Sequence, residues 1–315
     1  RIVRQGKDNI LKIVEDKDAT EGELKIKEIN SGIYCFNGKL LKNALSKIDN
    51  DNAQGEYYIT DVIKILKDEG FNVGAYIVND PVEIHGINSR VQLAFCEKIM
   101  RKRINESFML EGVTIINPEN TYIESSVIVG IDTIIYPESI LLGDTVIGKG
   151  CIIGENSRIE NSKIGDNVEI FSSTITDSII DDKCHIGPYA HLRPGSYLGD
   201  NVKIGNFVEV KNSKLGDNSK ASHLAYIGDA DVGKNVNIGC GVIFVNYDGS
   251  SKYRTVVEDN AFIGSNSNLV APVIVRQRGY VAAGSTITDE VTEGSLSIAR
   301  ARQVNKNGWV YKKDK

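Results

Sequence analysis

The chain has 315 residues, enough for two domains, and its 41% apolar and 25% charged content is that of an ordinary globular protein. A net charge of -5 argues against broad nucleic-acid binding, and no apolar run approaches the roughly 20 residues that span a bilayer. The opening Arg1-Ile2-Val3-Arg4 lacks the basic-then-apolar order of a secretory leader, so a cytoplasmic protein is expected. Five scattered cysteines (Cys35, Cys96, Cys151, Cys184, Cys240) have no CxxC spacing and read as reduced thiols.

Residues 1–87 read as a mixed α/β segment. A β-hairpin is predicted over 1–14, with its turn at 6–9. Residues 33–36 follow Asn30-Ser31-Gly32 and predict a buried strand, and 73–78 predict another. Between them, 39–48 and 59–69 have helical apolar spacing, the second stopped by Gly70. These strands are too few to cover the helices, which suggests the latter part of a larger domain.

Asn88 or Ser89 can cap a connecting helix over 88–111, with Val91, Phe95, Ile99 and Phe108 on one side. Its other face carries Lys98, Arg101, Lys102 and Arg103. That face reads either as a phosphate patch or, as the simpler account, as the solvated side of a connector.

Residues 112–315 are governed by one apolar residue in six. The series include Ile147, Ile153, Ile159, Ile164 and Ile170, then Ile186, Leu192, Leu198, Ile204 and Val210. Val232, Ile238 and Phe244 follow, then Val257, Ile263, Leu269, Val275, Val281 and Ile287. This period matches neither a helix nor an ordinary strand, but it does match a parallel β-helix built of hexapeptides. Three short walls close each coil, and coils stack at the inter-strand spacing of about 4.8 Å. The period fails between Phe244 and Val257, where a polar, aromatic stretch over 245–254 intervenes. A solenoid expels such an insertion as a loop, often on its binding face.

His223 follows the inward Ala221 by two positions and is expected to point outward. Imidazole ordinarily titrates near neutrality, which suits a general base, although a surface histidine is the simpler alternative. Arg193, Lys211 and Lys252 fall on coils or loops that can converge on it, and their cationic groups suit a sugar phosphate. Asn237 and Asn246 are candidates to orient the base or to donate to an oxyanion. His185, His191 and His223 raise a three-histidine zinc site, but the first two are six residues apart and fall on adjacent walls. Asp181-Asp182 reads as a polar turn and not as an acid/base pair.

Several longer strings carry a resemblance. Glu28-Ile29-Asn30-Ser31-Gly32, Asn52-Ala53-Gln54-Gly55-Glu56-Tyr57-Tyr58-Ile59-Thr60-Asp61, Leu192-Arg193-Pro194-Gly195, Gly205-Asn206-Phe207-Val208-Glu209 and Asn246-Tyr247-Asp248-Gly249 stand out. With them the chain resembles the bacterial bifunctional N-acetylglucosamine-1-phosphate uridyltransferase/glucosamine-1-phosphate N-acetyltransferase family. The resemblance implies a mainly β fold: a left-handed parallel β-helix preceded by a truncated α/β nucleotidyltransferase-like domain and a connecting helix. It implies a homotrimer with active sites between subunits. It also places glucosamine 1-phosphate on Arg193, Lys211, Tyr226, Asn237 and Lys252, with His223 as the base. Acetyl-CoA would meet Asn246 and Tyr247 and run along Cys240, Ser265, Ala283 and Arg300. Glu15, Asn30 and Asn88 would be remnants of a UDP-N-acetylglucosamine site, with Asn88 a Mg²⁺ ligand.

The sequence departs from the family in three ways. Cys240 replaces the usual alanine. Arg276 replaces the glycine after a ladder residue, which puts that corner and the nearby coenzyme groove in question. The glycine-rich nucleotide loop and a metal-binding aspartate do not occur in this sequence. The expectation is therefore an acetyltransferase joined to an inactive uridyltransferase remnant. A different amino-sugar acceptor and a non-catalytic assembly solenoid remain the alternatives.

Overall fold

The computed structural model describes residues 1–6 and 9–312. The chain divides into two units, Arg1–Cys96 and Glu97–Lys315.

In the first unit, Ile2–Gln5 and Asn9–Ile13 pair antiparallel as the expected hairpin, with Lys7 and Asp8 of its turn outside the described residues. The predicted helices form as Gly38–Leu45 and Asp61–Asp68. Asn37 caps the former by accepting from the backbone of Lys39 and Leu40, and Gly70 ends the latter at φ +84°. Ile63 packs on Ile10 and Ile13, while Val62 and Leu66 pack on Ala44.

The strands expected at 33–36 and 73–78 do not form. No strand among the described residues pairs with either segment, and Ile33, Tyr76 and Ile77 remain exposed. Apolar composition marked them as strands, but a strand also needs a ladder partner.

The connecting helix runs over Arg90–Leu110. Ser89 Oγ accepts from the Gln92 amide at 3.2 Å, so Ser89 is the cap. Its predicted apolar side is corrected by the structure. Val91 and Phe95 are exposed, and the last two turns, through Ile104, Phe108 and Met109, pack on the solenoid core. The buried anchor there is polar: Asn105 Nδ2 donates to the Pro118 and Thr121 carbonyls at 2.7 and 3.1 Å. On the basic face, Arg101 lies 3.4 Å from Glu97 and stacks over Tyr122, and Lys102 lies 3.7 Å from Glu106. Those pairings favour a solvated connector.

From Thr114 the chain forms three parallel sheets of eleven, ten and nine strands, each a stack of two- to four-residue segments. In chain order the eleven-stranded sheet is the first wall, the ten-stranded the second and the nine-stranded the third. Every predicted ladder residue points inward. Ile186, Leu192, Leu198, Ile204 and Val210 are wholly buried, and Ile263, Leu269, Val275 and Val281 continue the same core. Register is strict, as in Ile186↔Ile204 and Leu192↔Val210. Each buried aliphatic contributes about 1.5–3 kcal/mol.

Corners between walls take left-handed residues. Asn201, Asn218, Asn235 and Asn260 occupy successive corners between the third and first walls, all near φ +60°. Arg278 holds the next such position at φ +56°. Asparagine is tolerated there, whereas a longer side chain is strained.

Two stability outcomes follow from this packing. Leu192→Ala empties a wholly buried site and is expected to cost about 2–5 kcal/mol in denaturant unfolding. Arg278→Asn is expected to gain up to about 1 kcal/mol by relieving the left-handed strain; a loss would show that Arg278 makes a compensating contact.

Candidate active site

His223 ends the strand Lys220–His223 in the first wall, where Ala221 points inward and His223 outward and exposed. Its Nδ1 lies 2.6 Å from Oδ1 of Asn206, the residue directly in register one coil earlier. Continuing the registers Ala221↔Ile238, Ile238↔Ile263 and Ile263↔Val281 by two residues stacks His223, Cys240, Ser265 and Ala283 in one column. Backbone bonds tie these corners together: Gly241 N to Leu224 O at 3.0 Å, Asn266 N to Cys240 O at 2.7 Å and Gly284 N to Ser265 O at 2.8 Å. Arg300 follows beside Gly284. The structure thus gathers His223 with four of the six residues expected to meet acetyl-CoA.

A second cluster occupies the other edge of the second wall. Leu192↔Val210 and Lys211↔Gly228 set Arg193 and Lys211 on consecutive coils, with Tyr226 beside them. The insertion closes over this edge. Tyr247 bridges Lys252, and Asn246 Nδ2 donates to Asp229 Oδ2. Asp229 is buried and also accepts from Asn212 Nδ2 at 2.5 Å. Burial opposes its ionisation, but the two amides, with Lys211 and Lys252 nearby, hold its carboxyl below the usual range. Lys252 is pushed below the ordinary lysine range, chiefly by Lys211. Two ammonium groups held this close favour a multiply charged anion between them.

Several predicted residues are placed or paired differently from what the resemblance implies. Asn237 stands on the outer face of the first wall, in register with Lys220 and Phe262. Asn246, expected at the acetyl-CoA end, is bonded in the cation corner, and Tyr247 donates to its own loop at Gly249 O, 2.6 Å away. Arg254, in the same insertion, is committed to Asp231 through Nε at 2.8 Å and Nη2 at 2.6 Å. Arg193 is paired with Glu209 at 2.8 Å. Asn206, Glu209 and Asp229 were not predicted as site residues. Each sits about one coil from its partner, a spacing of seventeen residues for Asn206 and His223, and that coil length was the signal available.

Arg276 lies at the corner between the third and first walls, not between the first and second where Ser265 and Ala283 lie. It is held by Glu258 at 3.0 Å and by Glu290 at 2.8 Å, both carboxylates favouring its charged form. Ion pairs replace the missing glycine there without touching the His223 column. A separate groove of about 490 Å³ lies over Lys214, Asp231, Glu258, Asp259 and Gln277.

The EIF2B subunit epsilon LbH domain family matches residues 108–210. The chain is 62% identical over 314 residues to "Bifunctional protein GlmU" of Clostridioides difficile (strain 630), covering 100% of this chain and 68% of that protein. It is 63% identical over 313 residues to the protein of that name from Alkaliphilus oremlandii (strain OhILAs), covering 99% and 69%. The chain belongs to the bifunctional GlmU family. The solved Arabidopsis UDP-N-acetylglucosamine acyltransferase aligns over 59% of this chain and 69% of its own, at 17% identity and TM-score 0.36, too distant to bear on activity. LbH denotes a left-handed β-helix, the hand implied by the resemblance.

Residues expected to be remnants of GlmU's other site are all in the first unit. Glu15 accepts from Thr60 Oγ1 at 3.2 Å, and Asn30 donates to the Tyr34 hydroxyl at 2.5 Å. Asn88 is exposed, and its backbone amide donates to Gln92 at the helix start. Among the described residues no group of three or more His, Cys, Asp or Glu side chains is placed to hold a metal ion, and no step is derived through Mg²⁺.

Lys211→Met is expected to move the Lys252 titration up, toward the ordinary lysine range, because it removes the nearest like charge. A side-chain ¹³C NMR titration of labelled lysine reads this directly; an unmoved Lys252 would contradict the close pairing.

Proposed function

We propose that this GlmU-family chain transfers the acetyl group of acetyl-CoA to the amine of glucosamine 1-phosphate. The product is N-acetylglucosamine 1-phosphate, and the setting is cytoplasmic UDP-N-acetylglucosamine synthesis. The observation that carries the proposal is an outward imidazole in line with one kind of surface and across a wall from another. It heads the corner column of Cys240, Ser265, Ala283 and Arg300, and the Arg193, Lys211 and Lys252 corner lies at the wall's other edge. A long thin cosubstrate suits the first, and a sugar phosphate suits the second.

The chemistry needs an uncharged amine. Its nitrogen attacks the thioester carbonyl carbon, a C–N bond forms and the C–S bond breaks. His223 takes the proton released by the amine and returns it to the departing thiolate. Base assistance of this kind contributes about 10²–10⁴-fold. In this reading Arg193, Lys211 and Lys252 hold the phosphate, with Tyr226 and Asn237 contacting the sugar and Tyr247 the acetyl end. Asn246 spans the boundary between sugar and acetyl group.

The column and the cation corner lie at opposite edges of a wall whose strand there, Tyr226–Gly228, spans about 10 Å. Asn237 stands apart from both. That separation supports a homotrimer in which neighbouring copies complete each other's sites, which sedimentation equilibrium tests by mass.

Thiol release from acetyl-CoA is the functional assay. Wild-type protein is expected to release thiol only when glucosamine 1-phosphate is present, and His223→Ala to lose about 10²-fold or more in kcat. Lys252→Met is expected to raise KM for the sugar phosphate about tenfold and leave KM for acetyl-CoA unchanged, as loss of one charge-assisted contact requires. Release that is absent from folded wild-type protein, or indifferent to the sugar, would overturn the proposal.

A further inference from the structure

We propose that Asn206 is a positioning residue that fixes the tautomer of His223, an inference that rests on reading His223 as the base. The Asn206 amide is oriented with Oδ1 2.6 Å from His223 Nδ1, and because an amide oxygen can only accept, that orientation assigns the imidazole proton to Nδ1. The lone pair then belongs to Nε2, which has no hydrogen-bond partner among the described residues and stands at the exposed end of the side chain. In water neutral imidazole exchanges between both tautomers. Only the Nδ1–H form leaves Nε2 able to take the amine proton.

The fold is modified locally to make this contact. Strands of the first wall are two residues long except for Lys203–Asn206 and Lys220–His223, which have four. The added length ends in the pair Asn206↔His223. Gly205 permits it: a Cβ there would lie 1.9 Å from the Ser222 carbonyl oxygen, so any side chain would force the two coils apart. Phe207, immediately after, holds a left-handed φ of +56° and turns the chain away, leaving Asn206 as the last residue beneath the imidazole.

The test is ¹⁵N NMR of histidine-labelled protein together with steady-state kinetics. The chain has four histidines, so the His223 signals are assigned by their loss in His223→Gln. Wild-type protein is expected to show a protonated Nδ1 and an unprotonated Nε2 at His223. Asn206→Leu, which removes the acceptor at similar volume, is expected to release His223 to the mixed tautomers of free imidazole. Its kcat should fall about tenfold or more, with both KM values within about twofold. Asn206→Asp keeps an acceptor and is expected to restore the Nδ1–H tautomer.

An Nε2–H tautomer in the wild type, or an Asn206→Leu protein with unchanged tautomer and kcat, would overturn the proposal. So would a fall in kcat for Asn206→Leu without any change in tautomer. The tautomer readout does not depend on turnover. If His223→Gln retains full kcat, the reading of His223 as base fails separately.

Discussion

Strict parallel register between coils is the constraint on which the rest of this structure depends. Each wall contributes only two to four residues per coil, far too few to be stable alone. Stability comes from stacking, where inward aliphatics of successive coils meet in one continuous apolar core. The same register carries outward residues along with it. A side chain seventeen residues away in sequence becomes a direct neighbour, which is how Asn206 reaches His223 and how Cys240, Ser265 and Ala283 come to share a column with them.

The insertion over 245–254, whose first residue Val245 ends the strand Ile243–Val245, shows how a solenoid departs from regularity without losing register. Its two ends are fastened by carboxylates of the preceding coil, Asp229 on Asn246 and Asp231 on Arg254. Between those attachments Lys252 is held toward Lys211. The near-burial of Asp229 is tolerated because two amides satisfy its oxygens while its charge is felt by both lysines. Neither lysine is drawn into an ion pair with it, so their donors stay available to an anion.

The ladder was legible because inward aliphatics at a six-residue period have no other common explanation, and the outward direction of His223 followed from Ala221. The failures had physical causes. Residues 33–36 and 73–78 had strand composition, but pairing partners are a property of the fold. The apolar residues early in Arg90–Leu110 were assigned a buried face, yet the helix is anchored by its last two turns and by Asn105. Asn206 and Asp229 escaped notice because their meaning lies in one-coil neighbours, and coil length varies with each corner. Arg276 raised a doubt that only three-dimensional placement could answer, since the corner it occupies is not the one bearing the column.

The central claim is that the outward column continuing from His223 through Cys240, Ser265 and Ala283 receives the coenzyme. A crystal structure of the chain grown with coenzyme A and glucosamine 1-phosphate tests it most directly. The account predicts coenzyme density along Cys240, Ser265, Ala283 and Arg300, its sulfur end toward His223 Nε2, and phosphate density between Lys211 and Lys252. Coenzyme bound instead in the groove over Lys214, Glu258 and Gln277 would contradict it.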